Sequence, residues 1–134
     1  MDQELTGGCL CGAVRYRVSD VKRAGYCHCR MCQKASGAPV VGWLMVSAGA
    51  LVITSGTVKT YRSSASAERD FCPACGSQLV FRSLDAPREV DINLATLDHP
   101  ERITPQYHIH TSSQMPWLHI EDTLPRHPGD RPTS

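Results

Sequence analysis

All seven cysteines of this chain fall into three tight groups, and that grouping constrains the fold more than any other feature. Cys9-Leu10-Cys11 is a C-x-C pair, Cys27-His28-Cys29-Arg30-Met31-Cys32 is C-x-C-x-x-C, and Cys72-Pro73-Ala74-Cys75 is C-x-x-C. A tetrahedral structural zinc takes four ligands, and thiolate is a favoured one. The two pairs together make one closed four-sulfur site from Cys9, Cys11, Cys72 and Cys75. Cys27, Cys29 and Cys32 are left as three sulfurs with an open fourth position, the pattern of a zinc that reacts with a substrate. The expectation is two Zn2+ per chain, one structural and one catalytic.

Disulfides are the competing reading. They predict an even cysteine count and an exported chain. The count is odd, and Met1 to Thr6 has neither a basic nor an apolar signal-peptide region, so a cytoplasmic protein is expected. Cysteines two positions apart in an extended chain also do not face each other across a gap that a disulfide would close.

With 134 residues the chain has the length of one domain. Its longest apolar stretch, Pro39 to Ala50, is broken by Gly42, Ser47 and Gly49 and falls short of the roughly 20 residues that span a bilayer, so no membrane partner is expected. The formal charge is +1, and seven thiolates against two dications would bring it to about −2. With no Arg/Lys-rich helix in view, nucleic acid is not an expected partner either.

The pattern is mainly β. Val14–Val18, Gln78–Arg82 and Val90–Leu94 alternate apolar and polar residues as half-buried strands do. Val40–Val46 is nearly continuous apolar sequence, fitting a strand buried on both faces, and Leu51–Thr54 and Val58–Tyr61 flank a Ser55-Gly56 turn. Tyr107–His110 reads as a further short strand and Arg30–Ala35 as a single short helix. The expected organisation is one zinc-binding domain over residues 1–124, followed by a flexible tail over 125–134 that holds three prolines and no large apolar residue.

Each cysteine pair is followed by glycine, Gly12 or Gly76, where a metal-wrapping turn often requires positive φ. In the triplet, Cys27 and Cys29 of an extended segment point to one face and His28 to the other. His28 thus reads as a hydrogen-bonding neighbour of the site or a core residue. Cys32 returns to the same metal after a turn. His108, His110, His119 and Asp91 are the candidates that would close the fourth position. Zinc with three thiolates is electron-rich, and what it does well is hold a fourth thiol in its deprotonated, nucleophilic form. Such a site suits a thiol substrate presented to an electrophile.

Three strings then resemble the motifs of one family. Gly7-Gly8-Cys9-Leu10-Cys11-Gly12-Ala13-Val14-Arg15-Tyr16 resembles the opening motif of the glutathione-dependent formaldehyde-activating enzymes, which are related to centromere protein V. Cys27 to Gly37 resembles the central motif and Arg69 to Leu79 the third, with Leu94–Asp98 and Pro116-Trp117 also fitting. The resemblance implies an Mss-four-like winding β architecture built around zinc. It implies a structural zinc on Cys9, Cys11, Cys72 and Cys75 and a catalytic zinc on Cys27, Cys29 and Cys32. It further implies a carbon–sulfur lyase of the S-(hydroxymethyl)glutathione synthase type, joining glutathione or a similar thiol to an aldehyde such as formaldehyde. Position 33, often Arg in the family, is Gln33 here, which removes one partner for a glutathione carboxylate. Arg30 and Lys34, flanking Cys32, are the chosen anchors for an anionic thiol, while Arg62 and Arg69 read as solvated surface charges and Trp43 and Trp117 as core. A non-catalytic zinc-stabilised binding module and a redox- or zinc-responsive protein are the alternatives, and the fourth ligand of the second zinc separates them.

Overall fold

The computed structural model describes residues 4–132. In chain order these residues form β1 (Leu5–Gly8), β2 (Arg15–Val18), β3 (Val21–Cys27), helix α1 (Arg30–Ser36), β4 (Val41–Ser47) and β5 (Leu51–Ser55). There follow β6 (Lys59–Ser64), β7 (Ala67–Phe71), β8 (Gln78–Ser83), β9 (Glu89–Asn93) and β10 (His108–Ile109). Two sheets result: a three-stranded one in the order β1-β2-β5 and a seven-stranded one in the order β10-β3-β4-β9-β8-β7-β6. Neighbours run antiparallel, except that β10 lies parallel to β3. The expected mainly β class is what forms.

Alternation along β2 turns Tyr16 and Val18 inward and leaves Arg15 and Arg17 partly exposed. They join Leu5, Val14, Leu44, Val46, Leu79, Val80 and Ile92 in one core that draws on both sheets. Full burial of a side chain such as Ile92 contributes roughly 1.5–3 kcal/mol relative to exposure. A smaller cluster of Cys27, Cys32, Val41 and Trp43, backed by Phe81 and Ile109, lies under the cysteine triplet. Strand β4 departs from the two-face burial read from its sequence: Gly42, Met45 and Ser47 stay partly exposed. It is hydrogen-bonded on both edges, to β3 and β9, and its partly exposed residues fall on both faces, Gly42 on one and Met45 and Ser47 on the other.

Composition pointed to a flexible tail over 125–134, of which residues 133 and 134 lie outside the described residues; residues 125–129 make backbone contacts with the segment around β10. His108 N–H donates to Pro125 O at 2.9 Å, His127 N–H to His108 O at 2.9 Å, and His110 N–H to Gly129 O at 2.8 Å. Residues 125–129 therefore run beside β10, with Arg126 in a parallel bridge to His108. The physical reason is the edge itself. A two-residue outer strand leaves backbone donors that need acceptors, and a proline carbonyl accepts without requiring a donor in return.

Asp91 of β9 lies partly buried, and burial pushes its carboxyl up to about 7 although Arg23 pulls the other way. The folded chain thus holds a proton that the unfolded chain releases above about pH 4, so this residue costs stability as pH rises from about 4 to 7. Asp91→Asn is expected to raise Tm at pH 8 and to leave it nearly unchanged at pH 4. A thermal melt at both values checks this, and an equal effect at the two would refute the assignment.

Candidate metal and substrate site

The turn between β1 and β2 carries Cys9 and Cys11, and the turn between β7 and β8 carries Cys72 and Cys75. Their four Sγ atoms lie within 4.8 Å of one another. Cys9 and Cys11 are 3.6 Å apart, and Cys11 and Cys72 are 3.8 Å apart. A tetrahedral zinc with sulfur at about 2.3 Å has sulfur–sulfur edges of about 3.8 Å, so this donor set fits one. The backbone is shaped for it. Gly12 has φ +83° and Gly76 φ +80°, conformations that glycine adopts without strain. Val14 N–H donates to Cys9 Sγ at 3.2 Å. Ser77 ties the two turns together: its Oγ accepts from Leu10 N–H at 2.9 Å and lies 3.3 Å from Cys75 Sγ. That hydroxyl, first among several contacts, draws the Cys75 thiol down to about 5.

The triplet gathers at the junction of β3 and α1. Cys27 is the last residue of β3, Cys29 caps the helix by accepting from Cys32 N–H at 3.2 Å, and Cys32 sits in the first helical turn. The three Sγ atoms lie within 4.8 Å of one another, with Cys27 and Cys32 3.6 Å apart. Hydrogen bonding from Cys27 and then Cys32 holds Cys29 far below the usual thiol range, and contact with Cys29 pushes Cys27 far above it. Three sulfurs this close do not all ionise without a cation, which is what a bound metal supplies.

Among the described residues no His, Asp or Glu donor atom joins this triplet within 4.8 Å. The four candidates for closure lie elsewhere. His108 is fully buried and engaged on both ring nitrogens, 2.8 Å from His28 Nε2 and 2.8 Å from Asp122 Oδ2. His110 comes near Cys29 from a left-handed backbone conformation, φ +56°. His119 is exposed, and Asp91 belongs to β9. His28 points away from the sulfurs into the protein, as the extended spacing implies, and burial lowers it to about 4. With Asp122 as acceptor, His108 Nε2 donates to it, and Nδ1 takes the proton of His28 Nε2. This chain fixes the backbone between Cys27 and Cys29 against the C-terminal segment.

Two residues gain roles that sequence reasoning did not give them. Gln33 is buried, and its Nε2 lies 2.8 Å from His28 O, 3.1 Å from Pro39 O and 3.2 Å from Ser113 O. It secures α1 to both flanking segments, a job for a neutral amide that a charged Arg would not fill at the same depth. Arg69 of β7, read as a surface charge, is only 5% exposed. Its Nη2 donates to Cys32 Sγ at 3.5 Å and its guanidinium lies over the Phe81 ring, 4.8 Å from the centroid. Arg30 donates to Gln33 Oε1 at 2.7 Å and, with Lys34 and Trp117, lines a hollow of about 210 Å³. Trp117, expected in the core, is 66% exposed there, whereas Trp43 is buried.

Fold and site together define a small β protein that brings one set of four and one set of three cysteines into metal-binding geometry. Residues 4–113 match the family described as glutathione-dependent formaldehyde-activating enzyme, and the chain belongs to that family. It is 29% identical over 102 residues to an uncharacterized lyase of Schizosaccharomyces pombe, covering 75% of this chain and 74% of that one. Its fold is similar to the crystal structure of a Rhodobacter sphaeroides protein, with a TM-score of 0.61 and 24% identity over 70% of this chain and 88% of the other. Among the described residues no helix is long and apolar enough to cross a membrane.

Proposed function

We propose that this protein is a zinc-dependent lyase-type enzyme that joins a small thiol, glutathione or a close analogue, to an aldehyde such as formaldehyde. The observation that carries the reading is the contrast between the two cysteine groups: four sulfurs lie within 4.8 Å of one another, while three sulfurs meet with no further Cys, His, Asp or Glu donor within that distance among the described residues. Family membership and the lyase named in S. pombe support the reaction class. Cys9, Cys11, Cys72 and Cys75 would hold a structural zinc, and Cys27, Cys29 and Cys32 a catalytic one. Zinc in the second position supplies acidity to a fourth thiol, so that the sulfur is available as thiolate at neutral pH.

The remaining work falls to the chain. Cys29 both caps α1 and faces the site, so the helix fixes where Cys32 stands. The His28–His108–Asp122 chain holds the β3 end of the triplet rigid. Arg69 offsets the negative charge that collects on the sulfurs. In the reaction a sulfur lone pair forms the C–S bond, the carbonyl π pair moves to oxygen, and that oxygen takes up the proton the thiol gave away. The product is a hemithioacetal, and the reverse direction breaks the same C–S bond.

Cobalt substitution tests the reading. A fully loaded cobalt protein is expected to hold two metal equivalents, and glutathione should change the intensity or position of the thiolate-to-cobalt absorption. Formaldehyde consumption with glutathione should then exceed the buffer rate. A spectrum unmoved by glutathione, cysteine and simple thiols at millimolar concentration would refute the open-site mechanism.

A further inference from the structure

Strand pairing sets Asp91 in one cross-strand row, Arg69-Phe81-Asp91-Met45-Arg23, on the face of the large sheet opposite the core residues Leu44, Val46 and Ile92. Its neighbours in the row, Phe81 and Met45, offer a carboxyl no hydrogen bond. Among the described residues Asp91 has no hydrogen-bond or ion-pair partner. Arg23, beyond Met45, sends its Nη2 to Glu89 at 3.3 Å instead, and its Nε is buried without a partner. A partly buried carboxyl left in this state costs stability, and such groups are retained where a function uses them.

The C-terminal side of the chain lies against this face. Tyr107 sits over Gly25 of β3, where an added Cβ would come within 2.2 Å of the ring. Arg131 lies over Tyr107 in turn, 5.9 Å from the ring centroid. Asp130 bears on Asp91 as a like charge. Backbone bonds hold the segment there: His110 N–H donates to Gly129 O at 2.8 Å and Thr111 N–H to His127 O at 3.1 Å. The charged and titratable groups around Asp91 are thus Arg23 of β3, Glu89 of β9, Tyr107, and Asp130 and Arg131 of the C-terminal segment. Strands β4 and β8 present only Met45 and Phe81. Burial keeps the Tyr107 phenol neutral, so two cations meet two anions, and the set balances only while Asp91 carries its proton.

We propose that Asp91 is a proton-operated latch for residues 129–132: protonated, it lets the segment lie across the sheet, and ionised, it works the segment loose. Ionisation adds a third negative charge beside Glu89 and Asp130 in a site largely shielded from water, and lifting the segment rehydrates it. The docked form therefore holds the proton more tightly than the lifted form, and protonation favours docking to the same extent. Docking is strongest at low pH, weakens as pH rises toward about 7, where the docked form gives up its proton, and stays weak above it. The segment pairs with the stretch around β10, whose Ile109 stands opposite Cys27, so the latch governs the sheet edge beside the triplet. It operates whatever the triplet binds.

Amide hydrogen exchange on the full zinc-loaded chain tests the latch. After correction for the intrinsic pH dependence of exchange, protection of the His110 and Thr111 amides should fall at least about tenfold between about pH 5.5 and about pH 8.5, which corresponds to one pKa unit between the docked and lifted forms. The Leu44 amide of the main core should stay better protected than both, which marks the opening as local. Asp91→Asn keeps the shape and cannot ionise, so both amides should hold their low-pH protection across the range. His110 and His127 stay in place in that variant, which separates any contribution of theirs from that of Asp91. The latch is overturned if wild-type protection is constant, if Asp91→Asn loses as much as wild type, or if Leu44 falls to the level of His110. Should Asp91→Asn not fold, Asp130→Asn decides: with the like charge gone the loss should shrink, and an undiminished loss overturns the latch.

Discussion

Cys75→Ser is expected to abolish cooperative folding. The four-sulfur group joins the β1–β2 turn of the small sheet to the β7–β8 turn of the large one, and the bridge from Cys11 to Cys72 spans 61 positions of sequence. Structural zinc contributes about 10–16 kcal/mol of apparent binding free energy in small zinc domains. A whole domain of ordinary stability has only about 5–15 kcal/mol. Losing one of four ligands therefore removes a share comparable to the total. Circular dichroism and a thermal melt, with zinc content measured on the same sample, check it. A wild-type Tm in Cys75→Ser would remove this group from the structural role.

Cys32→Ser should separate fold from chemistry. The hydroxyl is close in size to the thiol, and Val41, Trp43 and Phe81 pack around it through apolar contacts that the substitution leaves in place. The fold should survive with a Tm within a few degrees of wild type. The second metal equivalent should be lost, and formaldehyde turnover with glutathione should fall by more than about a hundredfold, as loss of a metal ligand does. Retained turnover would show that the triplet is not the reactive group. Equal unfolding of Cys32→Ser and Cys75→Ser would show that the division of labour between the groups is wrong.

The cysteine groups were legible because each is compact in sequence as well as in space: C-x-C and C-x-x-C spacing carries its own geometry. The clearly alternating strands β2, β8 and β9 were legible for the same reason, since their period is local. The strands that escaped notice break the pattern through distant partners. Strand β3 contains Gly25, which belongs there because a Cβ would come within 2.2 Å of the Tyr107 ring. Strand β7, Ala67-Glu68-Arg69-Asp70-Phe71, looks like a surface segment. Its burial depends on Asp70 meeting Arg82 and Thr60, and on Arg69 meeting Cys32, partners 10 to 37 residues away. Arg69 and Gln33 acquire their roles only when the chain brings these partners in, which no local spacing announces. The contacts of residues 125–129 were hidden for a related reason: their composition describes their own lack of a core, whereas their backbone partners come from the edge beside β10.

The two cysteine groups also differ in when they come into being. Cys27, Cys29 and Cys32 lie within six consecutive residues, so a nascent or denatured chain can chelate with them before any strand has paired. The other group exists only after two turns on different sheets have met, a closure whose entropy must be met first by long-range strand pairing. Should both groups take zinc as proposed, loading would therefore be ordered: the three-cysteine group would load early and locally and the four-cysteine group last, so under zinc scarcity the ion would go first to the site that does not hold the fold together.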